Sequence, residues 1–142
     1  MTTRRARALP QPTPETQPYW DGCKQHELRL QYCNDCKAFF FYPRAFCPEC
    51  LSDNFEWKTL SGKGTLHTYL ISQRPAPGFE DEAPYVIAVV KLDEGPHLMS
   101  NIINVEPKPE SLKPDMPLEV VFTEMSETIT LPRFQPAQKQ GA

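Results

Sequence analysis

Two short cysteine motifs constrain this chain more than anything else in it: Cys33-Asn34-Asp35-Cys36 and Cys47-Pro48-Glu49-Cys50, with ten residues between them. In a C-x2-C motif two thiolates project from one tight turn toward a common point, and a second such turn completes a tetrahedron around a metal at about 2.3 Å per bond. Two facing knuckles make a zinc ribbon. Residues 37–46, with Phe39, Phe40, Phe41 and Tyr42, are long enough to leave one knuckle as a strand, turn near Pro43 and return. Disulfides are disfavoured without an export signal, and a thioredoxin-type redox motif has one C-x-x-C rather than two facing pairs. Cys33, Cys36, Cys47 and Cys50 are therefore the expected ligands of Zn2+; iron in a rubredoxin-like site satisfies the same ligand set. Four thiolates leave no open coordination position, so the ion is structural and supplies no activated water. Cys23 lies outside the pattern, where a lone buried cysteine packs.

At 142 residues the chain is one ordinary domain or two small modules, too short for a barrel enzyme. Sixteen prolines against six glycines each fix φ and remove a backbone donor, which excludes a bundle of long helices. Net charge is −3, and residues 51–142 carry 8 basic against 13 acidic side chains. A duplex-binding surface shows the opposite balance, because neutralising phosphates supplies most of its affinity. No apolar run approaches the ~20 residues that span a bilayer, and the N-terminus lacks a signal-peptide core. A soluble, cytoplasmic protein without membrane contact is expected.

Four stretches follow from composition and periodicity. Residues 1–14, rich in Arg, Thr and Pro, form a disordered arm, and residues 135–142 a polar, disordered tail. Residues 15–58 hold the metal lobe. Thr16 is placed to cap a short helix ending near Gln25, with Tyr19, Trp20 and Cys23 on one face, and Leu28, Leu30 and Tyr32 alternate with Arg29 and Gln31 as a strand entering Cys33. Residues 59–134 hold five strand-like runs, 65–72, 85–92, 98–105, 118–123 and 128–134, separated by Pro, Gly and acidic clusters. That spacing suggests a five-stranded OB-fold barrel. The expected fold is mainly β: a short N-terminal helix, a rubredoxin-like zinc ribbon and a C-terminal OB-fold. The loop at 73–84, with three prolines and three successive acids, is long and exposed.

No self-sufficient catalytic set is visible. His26, His67 and His97 fall in separate segments and outside any metal or nucleophile signature. Asp93-Glu94-Gly95 reads as a hairpin turn, and Gly62-x-Gly64 is too common to count as a phosphate loop.

Taken in order, Tyr19-Trp20, Leu30-Gln31-Tyr32-Cys33, Tyr42-Pro43-Arg44, Cys47-Pro48-Glu49-Cys50, Trp57, Ser61-Gly62-x-Gly64-Thr65, Pro84-Tyr85, Leu92-Asp93-Glu94-Gly95 and Asn101 resemble the DUF35 family over about residues 15–134. The resemblance implies a non-catalytic acyl-CoA-binding or accessory subunit that docks on a thiolase-fold enzyme, an aldolase, acyltransferase or thiolase, which holds the catalytic residues. A thiolase dimer with two copies would give a symmetric heterotetramer. Two departures touch turns: many members carry Gly where this chain has His26-Glu27, and again where it has Met116-Pro117.

For acyl-CoA the phosphates need cations and the pantetheine an apolar groove, which makes Lys63, Arg74 and Lys91, flanking the barrel loops, the candidate contacts. The rings from Phe39 to Tyr42 either form a surplus apolar patch for a partner or seal the metal lobe to the barrel. The rival function is single-stranded nucleic-acid binding, since zinc ribbons and OB-folds both serve it, and the acidic balance of residues 51–142 opposes that.

Overall fold

The computed structural model describes residues 9–78 and 81–137. One helix, α1 (Gln17–Lys24), precedes eight strands: β1 (Arg29–Cys33), β2 (Ala38–Phe40), β3 (Phe55–Thr59), β4 (Lys63–Ser72), β5 (Tyr85–Leu92), β6 (His97–Ile102), β7 (Pro117–Glu124) and β8 (Thr130–Pro136). The first three make a small sheet in the order β2-β1-β3, and the rest close into a barrel in the order β4-β5-β6-β8-β7. The chain is thus mainly β, with a ribbon and a five-stranded OB-type barrel. No helix among the described residues is long and apolar enough to cross a membrane.

Pro18 sits in the first turn of α1, where its missing N–H costs nothing. Thr16 holds the N-cap position without capping through its side chain; its Oγ1 instead accepts the Thr13 N–H at 2.8 Å. Thr13 and Pro14, expected in the arm, therefore belong to the turn that opens the helix, while residues 1–8 of that arm lie outside the described residues. Tyr19, Trp20 and Cys23 form the buried face of α1. The helix stops at His26, whose N–H reaches Cys23 O while Glu27 N–H reaches Gly22 O. This closure places residue 26 in the left-handed region, usually glycine's, and His26 has φ +60°. Its ring stacks on Phe122 of β7 at 5.3 Å between centroids. Asp115, one residue before Met116-Pro117, also takes a positive φ of 62°.

β1 carries the metal lobe's register. It pairs with β2 from Gln31↔Phe40 to Cys33↔Ala38 and with β3 from Arg29↔Thr59 to Cys33↔Phe55. β3 was not expected as a strand, and only three of the residues between the cysteine pairs are extended in β2. The remainder is a loop pinned by buried Gln31, whose amide donates to Arg44 O at 2.7 Å and accepts Arg44 N–H at 2.8 Å.

In the barrel, Val86, Ala88, Val90 and Leu92 of β5 point inward and alternate with Tyr85, Ile87, Val89 and Lys91. Gly64 lies where β4 meets both β5 and β7, opposite Leu92 and Leu118. A Cβ there would come within 2.5 Å of Lys91 O, so only glycine permits the crossing. The barrel closes between β6 and β8 through a single parallel pair, Ile102↔Phe134. β6 ends at Ile102 rather than near Val105, and Gln135 and Pro136, expected to open the tail, are the last residues of β8.

One buried cluster runs from Tyr19, Trp20 and Cys23 through Leu28, Leu30 and Leu60 into the barrel around Leu66, Val90, Leu118 and Phe134. A second holds Cys33, Phe40 and Cys47, with Phe55 packed against it. The helix and sheet base share the barrel's core, whereas the knuckles have almost none of their own.

Candidate functional site

The two knuckles are built alike. Cys33 ends β1, Lys37 N–H returns to Cys33 O at 2.8 Å, and Lys37 takes φ +57°. In the second, Leu51 N–H returns to Cys47 O at 2.9 Å and Leu51 takes φ +62°. Backbone amides point at sulfur inside each turn: Cys36 N–H to Cys33 Sγ at 3.3 Å and Glu49 N–H to Cys47 Sγ at 3.4 Å. The turns are tied together by Asn34 N–H to Asn54 O at 2.9 Å and by the Ser52 hydroxyl donating to the Asp35 carboxylate.

This closure brings all four sulfurs within 4.8 Å of one another. Cys33 and Cys50 are 3.6 Å apart, and Cys36 and Cys47 are 3.8 Å apart. A tetrahedron with metal–sulfur bonds near 2.3 Å has edges of about 3.8 Å, so the spacing fits a zinc-sized ion. The backbone N–H groups of Cys50 and Glu49 hold the Cys47 thiol down at about 7. Cys36 is pushed well up, first by its hydrogen bond with Cys50. Four thiolates this close repel one another, and a divalent cation removes the conflict. The donor set and distances suit structural zinc held by Cys33, Cys36, Cys47 and Cys50.

A second feature lies on the barrel's outer face. Leu70, Ile87, Val89 and Met99 are neighbours across β4, β5 and β6, through Leu70↔Ile87 and Val89↔Met99. Met99 is 70% exposed and Leu70 54%. This strip runs past Met99 into a groove of about 300 Å³ between helix, ribbon and barrel, lined by Tyr19, Trp20, Phe41, Tyr42, Met99 and Leu131. Phe39 and Phe41 pack against the main core, Phe40 is buried and Tyr42 is 45% exposed. The aromatic run thus seals ribbon to barrel, and its last ring forms a groove wall.

The zinc-ribbon domain model of ChsH2, a rubredoxin-like fold, matches residues 20–56. The C-terminal OB-fold domain model of ChsH2 matches residues 57–123. A DUF35 domain-containing scaffold protein from Methanothermobacter thermautotrophicus is 36% identical over 105 residues, 73% of this chain and 77% of that protein. The chain belongs to the DUF35 family. A probable enoyl-CoA hydratase alpha subunit from Thermomonospora curvata is 34% identical over 125 residues, 86% of this chain; the chain spans only 37% of that subunit's length. The solved Ltp2-ChsH2(DUF35) aldolase matches with a TM-score of 0.78 at 30% identity, over 90% of this chain and 98% of that one. The barrel model stops at residue 123, short of β8, although β8 pairs with β7 along its whole length from Leu118↔Pro136 to Glu124↔Thr130.

Of the cations expected to meet acyl-CoA, this DUF35 fold brings two together. Lys63 opens β4 and Lys91 nearly closes β5, at the end of the hairpin where Gly64 faces Leu92. Arg74 follows Ser72, at the other end, where Ser72 faces Tyr85. A ten-residue strand rising ~3.3 Å per residue puts about 30 Å between those ends, so Arg74 is separate from the lysine pair. The expected Asp93-Glu94-Gly95 turn is present, with Gly95 N–H on Leu92 O at 2.9 Å and Glu94 accepting Ser61 N–H at 2.9 Å.

Two residues escaped the sequence reading. Arg133 of β8 has a side chain only 11% exposed and pairs with Glu82 at 3.2 Å, and its Nε is buried with no acceptor among the described residues. It lies between the groove and a cavity of about 240 Å³ lined by Tyr85, Asn101 and Val105. Met99 was hidden inside an apolar run; the only available signal was Met rather than a charged residue at an outward-facing position.

Proposed function

We propose that this DUF35 chain is an accessory subunit that docks on a thiolase-fold enzyme acting on acyl-CoA thioesters, and that it does so through the apolar strip centred on Met99. The observation carrying this is the strip itself: four apolar side chains in register across three strands, two of them more than half exposed, running without interruption into an aromatic groove. A contiguous apolar face of this kind is costly to leave in water and marks a partner surface. Support for the partner's class comes from the relatives, one called a scaffold protein, one an enoyl-CoA hydratase subunit, and one an aldolase complex.

In this assignment the zinc builds rather than reacts. It fixes two knuckles, which fix the loop carrying Tyr42 beside Tyr19 at 6.5 Å between rings, and so complete the groove wall. Lys63 and Lys91 together are the cationic end of an acyl-CoA path. Arg74, on the far end of the hairpin, contacts a different part of the ligand or partner. A two-fold thiolase dimer taking one copy on each side gives a heterotetramer.

The test is co-expression with a thiolase-fold protein, sought among the products of genes neighbouring the one that encodes this chain, followed by light scattering on the purified mixture. A two-plus-two complex is expected, and Met99→Glu abolishes it while leaving the circular dichroism unchanged. Lys63→Glu with Lys91→Glu weakens acyl-CoA binding by the complex without dissociating it. Full-rate acyl transfer or cleavage by the isolated chain would end the accessory assignment.

A further inference from the structure

The barrel carries a second pair of metal-ligating side chains that the zinc ribbon does not use. His67 of β4 and His97 of β6 belong to strands that do not pair with each other, since β5 lies between them. Their rings nevertheless meet above β5, with centroids 4.7 Å apart and planes inclined at 46°. The meeting depends on a bulge: the β4–β5 register slips between Leu66 and Thr68, leaving His67 and Thr68 both exposed where strict alternation would turn one inward. Bulges commonly re-aim a side chain in this way. Among the described residues, neither imidazole hydrogen-bonds a protein group, so their ring nitrogens are open to a ligand from solution.

The spacing suits chelation. With metal–nitrogen bonds of about 2.0–2.1 Å and each ring centre ~1.1 Å behind its nitrogen, two imidazoles on one ion have centroids about 4.5–5.2 Å apart for angles between 90° and 109°. The observed 4.7 Å falls within that interval, and the 46° inclination differs from the parallel arrangement of a simple stack. Charges nearby oppose each other: Lys91 sits beside His97 in the strand register, while Glu49 of the second knuckle lines the same cleft as His97. We propose that His67 and His97 form a chelating site for one borderline divalent transition ion of the Ni2+ or Zn2+ class, with water in its remaining positions. The site is separate from the tetrathiolate and labile where that is permanent, and an ion held there ties β4 to β6 across β5.

Ni2+ is the probe, added to untagged, zinc-loaded full-length protein with calorimetry and a chromophoric chelator to report any zinc released. One equivalent of Ni2+ is expected to bind without zinc release and to raise the melting temperature. His67→Ala and His97→Ala are each expected to weaken binding by about tenfold or more, because removing one ring removes the intramolecular second ligand, whereas His26→Ala leaves it unchanged. Both rings are exposed, so circular dichroism of the variants is expected to match the parent. No uptake of Ni2+, uptake accompanied by stoichiometric loss of zinc, or equal uptake by the doubly substituted His67→Ala, His97→Ala protein would each overturn the assignment.

Discussion

Removing the zinc should melt the knuckles and spare the barrel, and the structure says why. The knuckle lobe's own apolar cluster comprises Cys33, Phe40 and Cys47, with Phe55 beside it. Burying two phenyl rings contributes about 1.5–3 kcal/mol each, ~6 kcal/mol at most. A structural tetrathiolate zinc contributes about 10–16 kcal/mol at neutral pH, so the ion outweighs the rings by roughly twofold. The barrel has its own core around Leu66, Val90, Leu118 and Phe134, and that cluster contains none of the four ligand cysteines. Hydrogen exchange with mass spectrometry, before and after treatment with a zinc chelator under reducing conditions, separates the two regions. The amides of Asn34, Cys36, Glu49 and Leu51, which are bonded within or between the knuckles, should approach the unprotected rate. Those of β5, β7 and β8 should not move. Persistence of knuckle protection in demonstrably zinc-free protein would refute the reasoning, because rings and hydrogen bonds would then suffice. Parallel loss in β5 would refute it differently, by showing that the lobes share one cooperative unit.

Other expectations follow from single positions. His26 occupies a left-handed backbone position, at about 1–2 kcal/mol for a residue with a Cβ, and regains about 0.5–1.5 kcal/mol by stacking on Phe122; urea unfolding should therefore rank His26→Gly near the parent and His26→Ala below both, and an Ala variant more stable than the Gly variant would contradict this. Phe134 is fully buried, and Phe134→Ala should cost about 3–5 kcal/mol in the same assay, with a loss under 1 kcal/mol counting against its place at the barrel's centre. Burial pushes the Cys23 thiol up from 9.0 to about 12. Its folded value thus lies above its unfolded one, so its contribution is whole below about pH 9 and is lost as pH rises toward 12. Stability measured between pH 8 and 11 should fall less steeply for Cys23→Ala than for the parent, and identical slopes would exclude the thiol as a cause.

The sequence was most informative where a local pattern is sufficient. Two C-x2-C turns dictate a tetrathiolate because the ligand geometry is set within four residues of chain. β5 was legible to both ends, since Val86, Ala88, Val90 and Leu92 alternate strictly and Pro84 and Asp93 bound them. β3 was not: Phe55 and Trp57 alternate over only five residues, and what makes them a strand is the long-range pairing with β1. The apolar run from Leu98 to Val105 overstated β6 because hydrophobicity continues past Ile102 while the backbone does not, Asn104 turning to φ +60°. The lysine pair and Arg74 looked equivalent in sequence because flanking a loop says nothing of which end of a ten-residue strand the loop occupies. Met99 and Arg133 depend on which faces of the closed barrel the helix and ribbon leave uncovered, a property of packing that no single segment contains.

The zinc and the apolar strip are mechanically connected, although no side chain belongs to both. From Cys33 the chain turns through the first knuckle into β2, and Phe40 of β2 packs beside Cys33 and Cys47. The next two residues, Phe41 and Tyr42, lean on Tyr19 of α1 at 5.6 and 6.5 Å between rings and form one wall of the groove. Gln31 holds the following turn by both of its amide atoms at Arg44. Loss of the ion frees Phe40 and the second knuckle, but Gln31 sits on β1, whose neighbour Leu30 is anchored in the barrel's core. The groove wall is therefore held from two sides, by zinc through β2 and by the main core through Gln31. Chelation alone should loosen Tyr42 without erasing the wall, whereas chelation of a Gln31→Ala variant should remove it. Partner affinity falling modestly in the first case and steeply in the second would show the two supports acting on one surface; equal falls would show that the ion acts elsewhere.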